Sequence, residues 1–172
     1  EIILNMSSFI EKIKWKLQDL KRIPEATFIC WKYPFLKPYV RRNKFFQTWC
    51  WWYAIPDGWR KAFGKQLCDE LKASFIRTDK RLLKTYQISQ IKEKYGNLHW
   101  YDYGNTNEGC KILHKYEEIS SHTCIECGRP ATVQTIDWIC PYCDNCVEDR
   151  NCVHFGHRYG PKWYGWISRS EE

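Results

Sequence analysis

The residues that decide the fold are Cys124-Ile-Glu-Cys127-Gly-Arg-Pro and, further along the chain, Cys140-Pro-Tyr-Cys143-Asp-Asn-Cys146. Two C-x2-C pairs about a dozen residues apart can place four thiolates at the corners of a tetrahedron, about 2.3 Å from one zinc ion. Gly128 lets the chain turn tightly after the first pair. Three cysteines compete for the second pair, because Cys140 and Cys143 have the same spacing as Cys143 and Cys146. The spacing predicts one zinc ion per chain and leaves the choice of second pair open.

This zinc ion is expected to be structural, because four thiolates leave no open coordination position for a substrate. A second site could combine Cys140 and Cys152 with His154 and His157, although the spacing of these residues is irregular. The sequence shows no secretory leader, so we expect metal ligation in preference to disulfides. The scattered cysteines are interpreted as buried thiols: Cys30, Cys50, Cys68, Cys110 and Cys152.

Length and composition limit the class of protein. The chain has 172 residues, of which 44% are hydrophobic and 17% are aromatic, which excludes a mostly disordered chain and predicts one core with one small appendage. No apolar run approaches the roughly 18 residues that a membrane span needs. We therefore expect a soluble, cytoplasmic protein with no membrane partner.

Positive charge is concentrated in the first part of the chain. Residues 1–100 contain 20 of the 27 Lys and Arg residues but 9 of the 20 acidic residues, which is a net charge of +11 in this part. Such an asymmetry suits a polyanionic partner, because cationic side chains release counterions from a phosphate backbone. Charge alone is equally consistent with a basic face that only keeps the protein soluble.

The remaining patterns predict an α+β protein, a helical and β-hairpin core with a C-terminal four-cysteine zinc ribbon. Apolar spacing predicts an amphipathic helix over 7–20, a second helix from Asp57 to about Arg77 and a third over about 107–120. Residues 85–94 and 98–103 are predicted strands around a Gly96-Asn97 turn. The predicted units are a core over 1–120, a zinc ribbon over 121–150 and an aromatic tail over 151–172 that packs on the core.

Residues 22–56 lose any regular period and fill with proline and aromatic residues. Such a stretch is either a wrapping loop or a binding surface. Arg41, Arg42 and Lys44 alternate here with aromatic rings, as in platforms that stack the bases of single strands. We predict nucleic-acid binding at these three residues, with packing of the rings into the core as the alternative.

The predicted hairpin carries a candidate catalytic face. A Gly96-Asn97 turn pairs Lys94 with His99 and Lys92 with Tyr101, so strand alternation places all four side chains on one face. RNA supplies its own nucleophile, the 2′-hydroxyl, so an enzyme that cleaves it needs only a base, an acid and cations that stabilise the developing charge. These residues therefore predict a metal-independent endoribonuclease, in which the lysines hold phosphate. The alternative is an ordinary solvated hairpin face.

Glu93 does not fit this face in the predicted register. It would lie on the apolar side of the hairpin with Leu98 and Trp100. We interpret it either as a buried catalytic carboxylate or as a sign that the register is different.

Five strings occur together in this chain: Tyr33-Pro34-Phe35-Leu36, Asp57-Gly-Trp59-Arg-Lys-Ala-Phe63-Gly, Gln90-Ile-Lys-Glu-Lys94-Tyr-Gly-Asn-Leu, Lys115-Tyr-Glu-Glu-Ile-Ser120 and Cys124-Ile-Glu-Cys127. Over about residues 33–147 they resemble a family of short bacterial and phage zinc-ribbon proteins. The second metal pair of that family resembles Cys143 and Cys146, and the position of Cys140 is commonly not cysteine. The resemblance implies the ligands Cys124, Cys127, Cys143 and Cys146. The chain departs from the family at His99, where arginine is more frequent.

The size and the zinc ribbon are also similar to those of a zinc-finger ribonuclease of antiphage defence that ring-shaped phage proteins activate. This likeness implies an RNA-targeting antiviral effector, held inactive until a ring-forming phage protein templates its assembly as an oligomer. Its expected partners are RNA, that phage protein and further copies of itself. The alternatives are a non-catalytic zinc-ribbon adaptor that binds nucleic acid or protein, and a structural protein in which zinc supplements a small core.

Overall fold

The computed structural model describes residues 21, 23–136, 138–148, 150, 152–158 and 164–168. Between 152 and 168 only the side chains of Cys152 and His154 are described. The helix predicted over 7–20 lies outside the described residues. Among the described residues, no helix combines the length and the apolar character that crossing a membrane requires.

The segment that lacked a period in the sequence begins with a helix, α1, over 23–32. Its buried residues Ala26, Ile29 and Cys30 fall at helical spacing and face the core. Tyr33, Phe35 and Leu36 follow them into the same core. The rest of the segment contains three short 3-10 helices: Pro34–Leu36, Tyr39–Arg41 and Trp51–Ala54. The segment therefore contributes to the core and is not one continuous loop.

The helix predicted from Asp57 is confirmed. It runs without a break through Asp57–Trp59, a wider π-type segment Arg60–Gly64 and Lys65–Thr78, and together these form α2. Its predicted apolar face, Phe63, Leu67, Leu71 and Phe75, is buried. A short helix α3, Leu82–Thr85, leads from α2 to the hairpin.

The predicted hairpin is also present, but its turn lies one residue earlier. Strands β1, Gln87–Lys94, and β2, Asn97–Tyr103, are antiparallel and are joined by Tyr95 and Gly96. Both turn residues have positive φ angles, 53° and 79°, as a tight hairpin turn of the right twist requires. The prediction of a turn at Gly96-Asn97 was therefore wrong, because Asn97 is the first residue of β2.

Helix α4, Asn107–Ser121, confirms the third predicted helix. The hydroxyl of Thr106 caps it by accepting a hydrogen bond from the backbone N–H of Gly109 at 2.9 Å. Tyr116 is buried, and the hydroxyl of Ser120 accepts a hydrogen bond of 2.8 Å from the N–H of Leu98 in β2. Helix α4 is thereby held against the hairpin.

The cysteine-rich segment forms a ribbon with its own small core of Val133, Val147 and Cys152. Its elements are β3, Val133–Thr135, β4, Pro141–Tyr142, and the short helix α5, Asp144–Val147. The tail supplies β5, Cys152–Arg158, and β6, Tyr164–Ser168, to one sheet of order β4-β3-β5-β6. The tail was predicted to pack on the core; in the structure it continues the ribbon sheet, because β5 pairs with β3.

The ribbon lies directly against the start of α2. The backbone N–H of Gly58 donates to the carbonyl of Ile125 at 2.8 Å, and the indole N–H of the fully buried Trp59 donates to the carbonyl of Thr123 at 2.7 Å. A Cβ atom on Gly58 would lie 2.2 Å from the carbonyl oxygen of Cys124. Only glycine allows this close approach of helix and metal-binding turn.

We therefore expect Gly58→Ala to destabilise the protein, since the added methyl group must push the ribbon away from α2. Overpacking of this kind costs about 1–3 kcal/mol, so the thermal midpoint falls by roughly 3–10 °C. Differential scanning calorimetry of this variant and of Lys61→Ala, an exposed position on the same helix, measures the effect. Equal midpoints for the two variants would contradict this close packing of the ribbon on α2.

Candidate metal centre and the hairpin face beside it

The structure brings four cysteines together: Cys124, Cys127, Cys143 and Cys146. Their Sγ atoms all lie within 4.8 Å of one another, and those of Cys127 and Cys143 are 3.5 Å apart. Tetrahedral zinc with bonds of about 2.3 Å requires sulfur atoms about 3.8 Å apart. The four thiol donors and their spacing therefore fit one tetrahedrally coordinated metal ion such as zinc. Among the described residues this is the only group of three or more possible ligands that lie together.

Each cysteine pair is shaped by a local turn. The N–H of Gly128, which has a φ of 81°, donates to the carbonyl of Cys124 at 3.0 Å, and the N–H of Cys146 donates to the carbonyl of Cys143 at 2.9 Å. These turns point both thiols of each pair in one direction, so backbone hydrogen bonds prepare the site for a metal.

A cation lies beside the cysteine cluster. The guanidinium of Arg129 donates to the Sγ of Cys127 at 3.4 Å, and this hydrogen bond lowers the pKa of the Cys127 thiol to about 6. Burial instead raises the pKa of the Cys124 thiol. Arg129 therefore favours the thiolate form, which is the form that binds a metal.

Cys140 is not part of this group. It is buried, its backbone N–H donates to the hydroxyl of Thr135 at 3.0 Å, and its carbonyl accepts from the N–H of Thr135 at 3.1 Å. Burial raises the pKa of its thiol to about 12. The fold thus resolves the competition for the second pair in favour of Cys143 and Cys146. No second cluster is found in the described part of the chain, which leaves out the side chain of His157.

The other cysteines follow the prediction with one exception. Cys30, Cys50, Cys68 and Cys152 are buried. Cys110, near the start of α4, is exposed. The interpretation of Cys110 as a buried thiol was wrong.

The hairpin places Lys92, Lys94, His99 and Tyr101 on one face, in a different register from the predicted one. Lys92 is opposite His99, Lys94 is opposite Asn97, and Tyr101 is opposite Gln90. The predicted pairs Lys94 with His99 and Lys92 with Tyr101 were therefore wrong. The shift is two residues, and a shift of two residues keeps side chains on the same face.

His99 is surrounded by groups that can assist proton transfer. Its Nδ1 atom lies 3.4 Å from a carboxylate oxygen of Glu117 on α4, and its ring is nearly parallel to that of Tyr101, with centroids 6.1 Å apart. The ammonium of Lys92 lies 5.5 Å from the centre of the Tyr101 ring. The histidine side chain is 26% exposed, so a substrate can reach the imidazole.

Glu93 has a structural task on the opposite face. One carboxylate oxygen accepts a hydrogen bond of 2.8 Å from the backbone N–H of Gly96, and the other accepts one of 3.0 Å from the indole N–H of Trp138. It therefore stabilises the hairpin turn and ties it to the ribbon. The prediction of Glu93 as a catalytic carboxylate has no support in this geometry.

The predicted nucleic-acid residues are partly engaged inside the protein. Arg41 donates to the hydroxyl of Thr48, and Arg42 donates to the carbonyl of Tyr86 at 2.8 Å. Lys44 is exposed. Arg42 thus holds the loop to the base of the hairpin, whereas Arg41 bonds within the loop. Of the three residues, only Lys44 has an exposed side chain.

Sequence reasoning missed two residues beside the candidate sites, Glu117 and Trp138. Both act across long sequence separations, on His99 and on Glu93, so no local pattern indicates them. The one available signal for Trp138 was its position just before Cys140 in the metal-binding segment.

Comparison with models of known protein families gave no match to this chain, and neither curated proteins nor solved structures matched it.

Proposed function

We propose that the chain is an RNA-targeting zinc-ribbon effector that cleaves RNA as a metal-independent endoribonuclease. The observation that carries the proposal is the arrangement around His99: an accessible imidazole with a carboxylate 3.4 Å away on Glu117 and with Lys92 opposite it on the neighbouring strand. A histidine oriented by a carboxylate beside a cation is a typical arrangement for general acid–base catalysis on a phosphate ester.

The reaction needs no nucleophile from the protein. His99 accepts the proton of the ribose 2′-hydroxyl, whose oxygen attacks the neighbouring phosphorus, and Lys92 stabilises the charge that develops on the phosphate. The bond from phosphorus to the 5′ oxygen breaks, and the hydroxyl of Tyr101 donates the proton that this oxygen needs. The products are a 2′,3′-cyclic phosphate and a free 5′-hydroxyl. Solvent returns the proton from His99 to Tyr101.

The metal of the four-cysteine site is zinc in this proposal, with one ion per chain. Cys124, Cys127, Cys143 and Cys146 would hold it through four thiolates, which supplies folding free energy and no chemistry on the substrate. Because the ribbon contacts both α2 and the hairpin turn, a bound zinc ion would also stabilise the position of the candidate catalytic face.

The wider role in the proposal is defence against phage in the cytoplasm, with a ring-forming phage protein as activator and self-association as the active form. Its support is the resemblance of the sequence strings and of the zinc ribbon. RNA as target is supported by the charge of the first hundred residues and by the chemistry of the hairpin face.

The second candidate function is a non-catalytic adaptor, and one specific observation favours it. Four large side chains, Phe28, Trp31, Phe45 and Phe46, are each at least 60% exposed, and together they line a cleft of about 390 Å3. Exposed apolar clusters of this kind mark protein interaction sites. An adaptor would use this surface and would leave RNA intact.

RNA integrity in cells tests the proposed function. Cells expressing the chain are challenged with phage, total RNA is examined for fragments, and the 3′ ends of the fragments are analysed. We expect fragments ending in 2′,3′-cyclic phosphates in challenged cells, because attack by the 2′-hydroxyl produces that end group.

The matched controls are unchallenged cells and challenged cells that express His99→Ala at the same level, and both are expected to keep their RNA intact. Intact RNA in every case, with the protein shown to be folded and expressed, would favour the adaptor. Fragments with 3′-hydroxyl ends would contradict the proposed chemistry.

A further inference from the structure

A groove lies where the ribbon meets the turn of the hairpin. It has a volume of about 530 Å3, and its lining includes Lys92 and Lys94 from β1, Tyr95 from the turn, and Ile136 and Trp138 from the ribbon. Its aromatic and aliphatic side chains are unusually exposed: Tyr95 by 70%, Trp138 by 72% and Ile136 by 55%. Exposed rings of this size are expected where a ligand covers them.

The Trp138 ring is fixed at its edge. Its N–H donates to Glu93 at 3.0 Å, while the other oxygen of that carboxylate accepts from Gly96 in the hairpin turn. The only polar atom of the indole is thus satisfied, and most of the ring surface remains open to solvent. A ring held in this way is preorganised for stacking, because little side-chain entropy is left to lose on binding.

The charges of the groove favour an anion beside the rings. Two lysines on the same face of β1 line it, and the ammonium of Lys94 lies 5.2 Å from the centre of the Tyr95 ring. The carboxylate of Glu93 is the only other ionisable side chain, besides the tyrosine, among the described residues lining the groove, and both of its oxygens accept hydrogen bonds. Ammonium groups next to an open aromatic face match a nucleotide, with its phosphate and its flat base.

We infer that this groove binds an unpaired base of single-stranded RNA, stacked on Trp138, with the adjoining phosphate held by Lys92 and Lys94. The inference rests on the proposed function and specifies its substrate class. Lys92 connects the groove to the candidate catalytic face, because it is also the residue opposite His99. RNA bound in the groove would therefore share the Lys92 contact with the candidate catalytic face. Duplex RNA keeps its bases stacked inside the helix and does not fit this mode of binding.

Binding of a labelled oligonucleotide tests the inference. The full chain carrying His99→Ala, which prevents cleavage, is titrated into a fluorescent single-stranded RNA, and anisotropy is measured. Adding Trp138→Ala is expected to weaken binding by about 5- to 100-fold, the usual effect of losing one base-stacking ring. Adding Trp138→Phe is expected to restore most of the affinity. A duplex of the same sequence is expected to bind weakly and to be insensitive to both substitutions.

The phenylalanine variant separates stacking from a merely structural role, because it keeps an aromatic face and loses the hydrogen bond to Glu93. If Trp138 only supports the turn, phenylalanine and alanine weaken binding equally, and the inference is overturned. Ile76→Ala, at an apolar residue on α2 that is 49% exposed and lies outside the groove, is the matched control and is expected to leave affinity unchanged.

Two further outcomes separate the inference from the proposed function. If RNA binds tightly and Trp138→Ala does not change the affinity, the groove is not the RNA-binding site, although RNA remains the target. A protein partner is then the occupant of the groove to test. If the protein that carries His99→Ala alone does not bind RNA, although its metal content and thermal midpoint are unchanged, the result contradicts both the inference and the proposed function.

Discussion

Cys143→Ser is expected to empty the metal site. The Sγ of Cys143 is one of four thiols that lie within 4.8 Å of one another, and three remaining ligands with a weakly binding hydroxyl do not hold a structural zinc ion. Zinc content measured by mass spectrometry should fall from about one ion per chain to near zero. Because binding of the metal contributes to folding, its loss should lower the thermal midpoint by about 10 °C or more.

Cys140→Ser is the matched control. Cys140 is three residues away and buried, but its thiol lies outside the cluster. We expect this variant to keep its zinc ion and to lose stability only through the polar hydroxyl placed in an apolar site. A variant at Cys140 that loses zinc, or a variant at Cys143 that keeps it, would contradict the assignment of ligands.

Periodic signals in the sequence were the reliable ones. The spacing of Phe63, Leu67, Leu71 and Phe75 predicted the buried face of α2, since one face of a long helix must be covered whatever lies opposite. The cysteine spacing predicted a four-cysteine cluster for a similar reason, because tetrahedral coordination restricts the lengths of the turns that carry the ligands. The choice of Cys143 and Cys146 as the second pair came from the resemblance and not from the spacing. Both signals depend on local geometry alone.

Features that depend on tertiary structure could not be predicted from the sequence. Helix α1 was missed because its buried positions sit among aromatic residues and prolines that hide the period. The turn was misplaced because the sequence pair Gly96-Asn97 suggested it, whereas the fold places Tyr95 at a φ of 53°, a conformation that is uncommon for tyrosine. The contact of Trp138 with Glu93 joins residues 45 positions apart. No local pattern carries such information.

The hydrogen bond from Trp138 to Glu93 also links the two candidate sites. It connects the loop that precedes the second cysteine pair to the turn that follows Lys92 and Lys94. Damage to the metal site is therefore expected to disturb RNA binding as well. For this reason, loss of activity in a cysteine variant says little about catalysis, and only substitutions on the hairpin face and on α4 test it.

His99→Ala is expected to lower the rate of RNA cleavage by the purified protein by about 10²–10⁴-fold, the contribution of a general acid–base residue. The protein is purified from challenged cells in which RNA fragments are found, and initial rates are measured on a short RNA. Glu117→Gln is expected to lower the cleavage rate less, by about 10-fold, because it removes the charge that stabilises the imidazolium while the imidazole itself remains. Both variants should bind RNA with nearly unchanged affinity, since neither is a phosphate ligand.

His114→Ala is the matched control for this series. His114 is an exposed histidine on α4, the helix that also carries Glu117, so it reports any general effect of removing an imidazole from this part of the protein. Full activity of His114→Ala together with loss of activity in His99→Ala locates the chemistry on the hairpin face. Undiminished cleavage by His99→Ala would exclude His99 as the base, and the hairpin would then be a binding surface whose lysines hold RNA for a reaction carried out elsewhere.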